Sequence, residues 1–284
     1  MYPIIFELPS WIPIVGGAAI TSFGVFMLLS FLTGGYLTRA GLRRIGEDPE
    51  KAWDLVFMAV VGGIVGARLY YVLLNFPRFL EDPIGMVFAR GGLVWYGGFL
   101  LATAFVVWEV RRQKLPLRET ADAVAPALAL AYAVGRMGCF LVGDDWGRPT
   151  GSWVGVRFPQ GTPPSHVDVI QRDFGITVDP ALVEQYGQIV PVHPTQLYEV
   201  GLSTLIFFVL WRMRGRARPA GWLFMLWLAL AGAERFAIEF WRAKDDRLLG
   251  ALTVAQLISI AIVTVGVVGL VRLSAQKGAR SAKA

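Results

Sequence analysis

The sequence predicts an all-α membrane protein of seven transmembrane helices with a small irregular head on the outer face. Its 284 residues are 55% hydrophobic, and the mean hydropathy of +0.53 exceeds that expected of a soluble protein of this length. The apolar residues lie in seven blocks, each long enough to cross about 30 Å of hydrocarbon. We therefore treat residues 1–284 as a single integral membrane domain.

The helices are expected at roughly 18–38, 53–76, 92–110, 121–143, 196–213, 219–241 and 252–272. No Lys or Arg precedes the first block, so the chain lacks the basic start of a cleavable signal peptide. We expect the first helix to be retained.

Basic residues predict the orientation of these helices. The first, third and fifth loops and the C-terminal tail carry sixteen Lys and Arg residues, whereas the opposite side carries eight. Since cytoplasmic loops are enriched in Lys and Arg, we predict an N-terminus outside and a C-terminus in the cytoplasm. The remaining basic residues, Arg68, Arg136 and Arg235, fall within predicted helices.

The outer loop at 144–195 contains seven prolines and several glycines. This composition predicts an irregular head with short strands around Trp153 to Phe158. The loop is expected to be too short to form a core of its own.

Composition also excludes several kinds of site. The single Cys139 excludes an internal disulfide and a multi-cysteine metal site. His166 and His193 are 27 residues apart without other ligand patterns, so we expect no metal and no cofactor. The net charge of +6 is attributed to the cytoplasmic loops, so no nucleic-acid partner is expected.

The most informative stretch runs from Gly135 to Thr150, where an apolar block reaches polar sequence. Arg136 lies inside the block and needs an anion, because charge at membrane depth is costly and usually functional. Asp144 and Asp145 are one source, as a structural ion pair. A lipid phosphate is the other, since a guanidinium donates two parallel hydrogen bonds to it.

Two glycine-rich stretches flank possible site residues. Gly62-Gly63 and Gly66-Ala67-Arg68 in the second helix indicate close helix packing, with a functional Arg68 left open. The stretch from Arg90 to Gly98 places glycine pairs on both sides of Trp95-Tyr96. It is interpreted either as an interfacial aromatic belt or as a place where a ligand comes close.

Polar residues also occupy the fifth and sixth helices. Thr195 is expected to cap the fifth, near Glu199, but capping does not account for Gln196 and Tyr198 beside it. In the sixth helix Arg235 and Glu239 are four residues apart, so they share a face and are expected to pair.

Together these motifs resemble the prolipoprotein diacylglyceryl transferase family over essentially the whole chain. Gly66-Ala67-Arg68-Leu69 is similar to its GARL segment, and Gly135-Arg136-Met137-Gly138-Cys139-Phe140 with Gly143 and Trp146-Gly147-Arg148 is similar to its signature. His193-Pro194-Thr195-Gln196-Leu197-Tyr198-Glu199 resembles its HPSQLYE motif, and the run from Arg235 to Arg242 matches RxxxEFxR.

The resemblance implies a transferase in the bacterial cytoplasmic (inner) membrane. It implies that the enzyme moves the diacylglyceryl group of phosphatidylglycerol to the lipobox cysteine thiol of a preprolipoprotein, and that glycerol phosphate leaves. The partners expected are therefore phosphatidylglycerol, the preprolipoprotein signal peptide and membrane lipid. The nucleophile belongs to the substrate, so Cys139 is interpreted as a packing residue.

On this basis Arg136 and Arg235 are expected to stabilise the phosphate, with Glu239 and Asp144 orienting them or binding glycerol hydroxyls. The base is left open. Tyr96 stands where many members of the family have histidine, and it is expected either to act as the base or to donate to the phosphate. His193 is expected to be either the base or a structural residue. The other substrate-binding candidates are Arg68, Gly147, Gln196, Tyr198, Glu199 and Arg242.

The chain departs from the family at Phe23 and Ala231, where tyrosine is common. A related transferase with another lipid or acceptor is therefore an alternative. A seven-helix transporter or receptor is a further one, although the sequence shows no repeated halves.

Overall fold

The computed structural model describes residues 2–11, 17–88, 92, 94–243, 247–249 and 252–281. The chain divides into two compact units, one made of Met1–Gly34 with Ala125–Ala284 and the other of Gly35–Val124. In chain order the elements are β1 (Ile4–Glu7), β2 (Ala19–Thr21), α1 (Ser22–Arg44), α2 (Lys51–Leu74), α3 (Phe76–Glu81), α4 (Pro83–Phe88), α5 (Trp95–Arg112), α6 (Leu117–Val142), α7 (Val167–Phe174), α8 (Pro180–Tyr186), α9 (Thr195–Met213), α10 (Trp222–Ile238), β3 (Arg247–Leu249), β4 (Leu252–Thr253) and α11 (Val254–Ser281).

Each predicted apolar block coincides with a helix, namely α1, α2, α5, α6, α9, α10 and α11. Among the described residues, four helical segments are long and apolar enough to cross a membrane: Ser22–Arg44, Lys51–Leu74, Leu117–Val142 and Val254–Gln276. The 17 residues of α10 span only about 26 Å, and three of the last four residues of α5 are charged. The structure therefore gives a helical protein of membrane type with four such spans.

The helix ends differ from the predictions for local reasons. The first helix begins at Ser22 because residues 19–21 pair with residues 4–7 in an antiparallel hairpin, which the sequence did not suggest. It continues to Arg44 rather than ending near residue 38, since its last turns are basic and extend beyond the apolar block.

The unit Gly35–Val124 is held by a close approach of α2 and α5. Gly62 and Gly66 of α2 face Ala102 and Gly97 of α5, and a methyl group at Gly62 would lie 2.8 Å from the Ala102 Cα. A methyl group at Gly63, by contrast, would point into open space, although the Gly63 carbonyl lies against Gly98. The packing interpretation of the α2 glycines is confirmed, and it extends to the glycine pair of α5.

In the other unit, α10 packs along both α9 and α11. Gly232 of α10 lies against the backbone of Ser259, and Gly266 of α11 lies against Ala229. The first helix meets α6 where the Ser30 hydroxyl donates to the Ala131 carbonyl at 2.6 Å. The C-terminal ends of α6 and α10 and the N-terminal end of α9 meet in one region of the unit.

The head is more ordered than predicted. It contains α7 and α8, and the expected strand around Trp153 to Phe158 is reduced to a single bridge between Val156 and Val192. The loop was expected to be too short for an independent domain with a core of its own, and its independence stays a prediction, but its residues do form a buried cluster together with one residue from beyond the loop. Its buried cluster consists of Trp146, Phe158, Val167, Ile170, Val178, Val190, Val192 and Ala243.

This core combines residues from the start of the loop onwards with one residue from beyond it. Trp146 precedes most of the loop and donates from its indole nitrogen to the Pro163 carbonyl at 2.9 Å. Ala243, beyond the end of α10, is fully enclosed in the same cluster. The head thus lies directly against the polar ends of the helices that carry the predicted site.

Candidate active site

Arg136 lies near the end of α6 and is almost fully buried. One terminal nitrogen donates to Asp145 Oδ2 at 2.9 Å, and the other binds the Glu199 carboxylate of α9. The Tyr132 hydroxyl, one helical turn before Arg136, donates to Glu199 at 3.0 Å. Arg136 is therefore fixed between two carboxylates from different segments.

The second part of the site comes from the end of α10. Arg235 and Glu239 form the predicted ion pair four residues apart, which confirms that they share a helix face. Arg242 binds Asp145 Oδ1 at 2.7 Å and lies 3.9 Å from Glu239. Asp145 therefore joins the two parts.

The result is a row of six side chains of alternating charge, which we call the charge chain. In spatial order its members are Glu199, Arg136, Asp145, Arg242, Glu239 and Arg235. Three carboxylates balance three guanidinium groups, so the row is neutral as a whole. Arrays of this kind are costly in an apolar region unless each charge is paired.

Asp145 is held by its backbone as well as by its carboxylate. Its φ of 57° is left-handed, a conformation that few non-glycine residues adopt, although aspartate is among those that tolerate it. The Thr195 hydroxyl donates to its carbonyl at 2.7 Å, and the Gln196 amide donates to the carbonyl of Asp144. The prediction that Thr195 caps α9 was wrong, because Thr195 is the first helical residue and its hydroxyl fixes this loop instead.

The two adjacent aspartates have opposite electrostatic surroundings. Burial alone would raise the pKa of Asp145, but the Arg242 and Arg136 guanidinium groups lower it to about 2. Burial, together with the neighbouring Asp145 charge, raises the pKa of Asp144. The ion pairs of the described residues join Arg136 to Asp145 and Glu199, so of the two predicted counter-ions it is Asp145 that pairs with it.

A cavity of about 300 Å³ opens beside the central part of the charge chain. Its walls are formed by the loop after α6, by the head and by Arg242, which follows α10. The lining residues are Asp144, Asp145, Trp146, Thr162, Pro163, Phe174 and Arg242. An anion bound in this cavity would lie next to Arg242, which forms part of the cavity wall.

His193 lies just before α9, close to the cavity-lining loop. Its Nδ1 lies 3.0 Å from the Tyr198 hydroxyl, and its carbonyl accepts from the Gly147 amide at 2.8 Å. Burial lowers the pKa of His193, so the neutral imidazole is the form present at pH 7. Gly147 is required here because a methyl group on it would collide with the Thr195 and His193 side chains.

Arg68 and Tyr96 belong to the unit Gly35–Val124. Arg68 donates to the Met86 carbonyl at 3.2 Å, and its guanidinium lies 5.9 Å from the Tyr71 ring centroid. Tyr96 is exposed and packs edge-on against Trp95. Their roles stay predictions. Of the stretch that contains Tyr96, Arg90, Gly91 and Leu93 lie outside the described residues.

Sequence reasoning missed one member of this site and one buried hydrogen bond outside it. Tyr132 supports Glu199, and Ser203 donates to the buried Glu234 carboxylate at 2.7 Å. The four-residue spacing between Tyr132 and Arg136 was a usable signal, because it places both on one face of α6. Ser203 carried none, since an isolated serine in an apolar helix is common.

Comparison with known proteins identifies the family to which the chain belongs. A sequence profile described as prolipoprotein diacylglyceryl transferase matches residues 9–272. The chain belongs to this family. A phosphatidylglycerol–prolipoprotein diacylglyceryl transferase of Proteus mirabilis is 31% identical over 90% of this chain and 89% of its own. Proteins of the same name from Bordetella avium (30%; 96% and 98%) and Neisseria gonorrhoeae (31%; 93% and 95%) are similarly related.

Proposed function

We propose that this protein transfers the diacylglyceryl group of phosphatidylglycerol to the thiol of a lipobox cysteine in a preprolipoprotein. The observation that carries the proposal is the charge chain beside the cavity. Arg136 and Arg242 bind the two oxygens of one carboxylate, at 2.9 and 2.7 Å. The phosphodiester of phosphatidylglycerol also presents two oxygens that share one negative charge.

The proposal includes the arrangement in the membrane. All seven long helices cross the bacterial cytoplasmic membrane, with the N-terminus outside and the C-terminus in the cytoplasm. The excess of basic residues on one side supports this orientation. The charge chain and the head then lie at the outer face, where the acceptor's signal peptide is accessible.

The reaction needs a stabilised leaving group. The thiolate sulfur forms a bond to the glycerol carbon, the bond from that carbon to the phosphate oxygen breaks, and glycerol phosphate leaves with an added negative charge. Arg136, Arg235 and Arg242 are the cations that stabilise this charge. Glu199 and Glu239 position Arg136 and Arg235 through the observed ion pairs.

The surrounding polar residues bind the rest of the substrate. Asp144 accepts hydrogen bonds from the glycerol hydroxyls, while Gln196 and Gly147 maintain the loop that carries it. Arg68 contributes a further contact to the lipid phosphate, and the Tyr96 hydroxyl donates to the same group.

The thiol must lose its proton, because the thiolate is the nucleophile. We assign the base to His193, which is neutral at pH 7 and takes no part in the charge chain. Tyr198 fixes the ring through its hydroxyl, leaving the other ring nitrogen to accept the proton.

The test is complementation in a bacterium depleted of its own diacylglyceryl transferase. Expression of this chain should convert a tagged preprolipoprotein to its lipid-modified form, seen as a gel shift and as incorporation of labelled phosphatidylglycerol. An acceptor with serine in place of the lipobox cysteine is the control. An unmodified acceptor beside well-folded enzyme would overturn the assignment, and covalent label in another molecule would identify a transferase with a different acceptor.

A further inference from the structure

A second cavity, of about 380 Å³, lies at the other end of α9 and α10 from the charge chain. The 19 residues of α9 place it roughly 28 Å along the helix from Thr195. It is lined by Arg216, Ala217, Arg218, Pro219, Trp222 and Ser274. Neither the proposed reaction nor its substrates use this region.

Three side chains of this cavity contact one another. The Trp222 indole nitrogen donates to the Ser274 hydroxyl at 3.1 Å, which ties the start of α10 to α11. The Arg218 guanidinium lies 3.8 Å above the Trp222 ring. Its Nε is buried and has no hydrogen-bond partner among the residues that the structure describes. A buried donor without an acceptor is unfavourable, so a ligand that brings an acceptor is stabilised here.

The positive charge around this cavity favours the binding of an anion. Arg212, Arg214, Arg216 and Arg218 follow one another at alternate positions, and residues 200–233 contain no Asp or Glu. Residues 252–284, which include α11, contain none either. The positive end of the α10 dipole, at Trp222, adds to the same field. These segments contain no carboxylate that could neutralise Arg216 and Arg218, the two arginines that line the cavity.

The neighbouring surface is apolar and suits acyl chains. Val271 and Val267 lie three and seven residues before Ser274, so they continue its face of α11 away from the cavity. Both are exposed. A phosphate group in the cavity would therefore lie next to an apolar stripe on α11. A lipid needs such a surface for its acyl chains, whereas a free phosphate ion does not.

We propose that this cavity binds the phosphodiester headgroup of an anionic phospholipid, with the acyl chains along the Val267–Val271 stripe. Arg216 and Arg218 bind the phosphate oxygens, and Arg218 Nε gains its missing acceptor. This is a structural lipid site, separate from the site of the proposed reaction. The proposal does not depend on whether the proposed function is correct.

The experiment is native mass spectrometry of the delipidated full-length protein, titrated with phosphatidylserine, phosphatidylcholine or inorganic phosphate. The test variant is Arg216→Gln/Arg218→Gln. Its matched control is Arg212→Gln/Arg272→Gln, which makes the same change in net charge at exposed positions outside the cavity. Circular dichroism establishes that both retain the wild-type helix content, and Ser274→Ala provides a milder perturbation.

We expect the test variant to bind phosphatidylserine roughly tenfold more weakly than the control, because it loses directed hydrogen bonds as well as charge. Ser274→Ala should weaken binding by a smaller factor, and phosphatidylcholine should bind weakly throughout. Equal weakening in test and control variants would show a general basic surface and overturn the proposal. Competition by inorganic phosphate at the same concentration as the lipid would overturn the lipid assignment in favour of a free anion.

Discussion

Replacing Arg136 by lysine separates the shape of the guanidinium from its charge. One terminal nitrogen of Arg136 binds Asp145 at 2.9 Å and the other binds Glu199. A lysine ammonium keeps the charge but is a single point on a flexible stem, so it cannot hold both carboxylates in these positions. The substitution therefore tests whether a forked cation is required.

The expected magnitude follows from the contacts that are lost. A hydrogen bond to a charged group contributes about 1.5–3 kcal/mol, and Arg136→Lys loses one of two. Loss of one aligned donor to a developing anion lowers turnover by about 10²–10³-fold. We expect folded Arg136→Lys protein with kcat reduced by about 100-fold, and a smaller change in KM.

The assay is transfer from phosphatidylglycerol to a synthetic lipobox peptide in detergent micelles, followed by mass spectrometry. Arg112→Lys is the matched control, because Arg112 also binds a buried carboxylate, Glu109, through two nitrogens at 2.8 and 2.7 Å. It should retain turnover. Wild-type turnover in folded Arg136→Lys protein, or an equal loss in the Arg112 control, would refute the reasoning.

Three further predictions concern other parts of the molecule. Glu239→Gln should lower kcat about tenfold in the peptide assay, because it releases the arginines that flank Glu239. Glu234→Gln should leave kcat unchanged in the same assay, because the new amide still accepts a hydrogen bond from a serine hydroxyl. Burial lowers the pKa of His193, so its neutral form persists below pH 6.5. The kcat/KM of the wild-type enzyme should therefore be constant above pH 6.5 and fall at lower pH. The His193→Gln enzyme should be slow, with a rate independent of pH between about pH 5 and 8. Gly62→Leu should destabilise the protein by about 1–3 kcal/mol through overpacking, whereas Gly63→Leu, which has open space, should leave the thermal midpoint unchanged.

Each of these has a decisive contrary result. Equal loss of kcat in the two glutamate variants would remove the positioning role of Glu239. A His193→Gln enzyme that still loses activity below pH 6.5 would place the base elsewhere and return Tyr96 to consideration. If the leucine variants at Gly62 and Gly63 unfold at the same temperature, the close approach of α2 and α5 does not support the fold.

The sequence could predict whatever depends on neighbouring residues. Seven apolar blocks indicated the seven long helices, because a residue's hydropathy is a local property. The pairing of Arg235 with Glu239 was also predictable, since a four-residue spacing places both on one face of a helix. The packing role of Gly62 followed from the same kind of pattern.

What could not be predicted depends on residues that are distant in the chain. Glu199 is 63 positions from Arg136, and no local pattern indicates which of the nearby carboxylates binds it. Thr195 was misassigned as a cap because its true acceptor, the Asp145 carbonyl, is 50 residues away. The contribution of Ala243 to the head core could not be predicted for a similar reason, since it lies beyond the loop.

The neutrality of the charge chain indicates how a lipid phosphate would enter it. Three carboxylates already balance three guanidinium groups, so an added phosphate needs one carboxylate to move away. The side chains of Glu199 and Glu239 are only 2% and 1% exposed, whereas that of Asp145 is 45% exposed and borders the cavity. Asp145 also has a left-handed backbone conformation, and the Thr195 hydroxyl binds its carbonyl. On the proposed function, Asp145 therefore holds Arg136 and Arg242 in position until the phosphodiester takes its place, and the two buried glutamates keep both parts of the site aligned during the exchange.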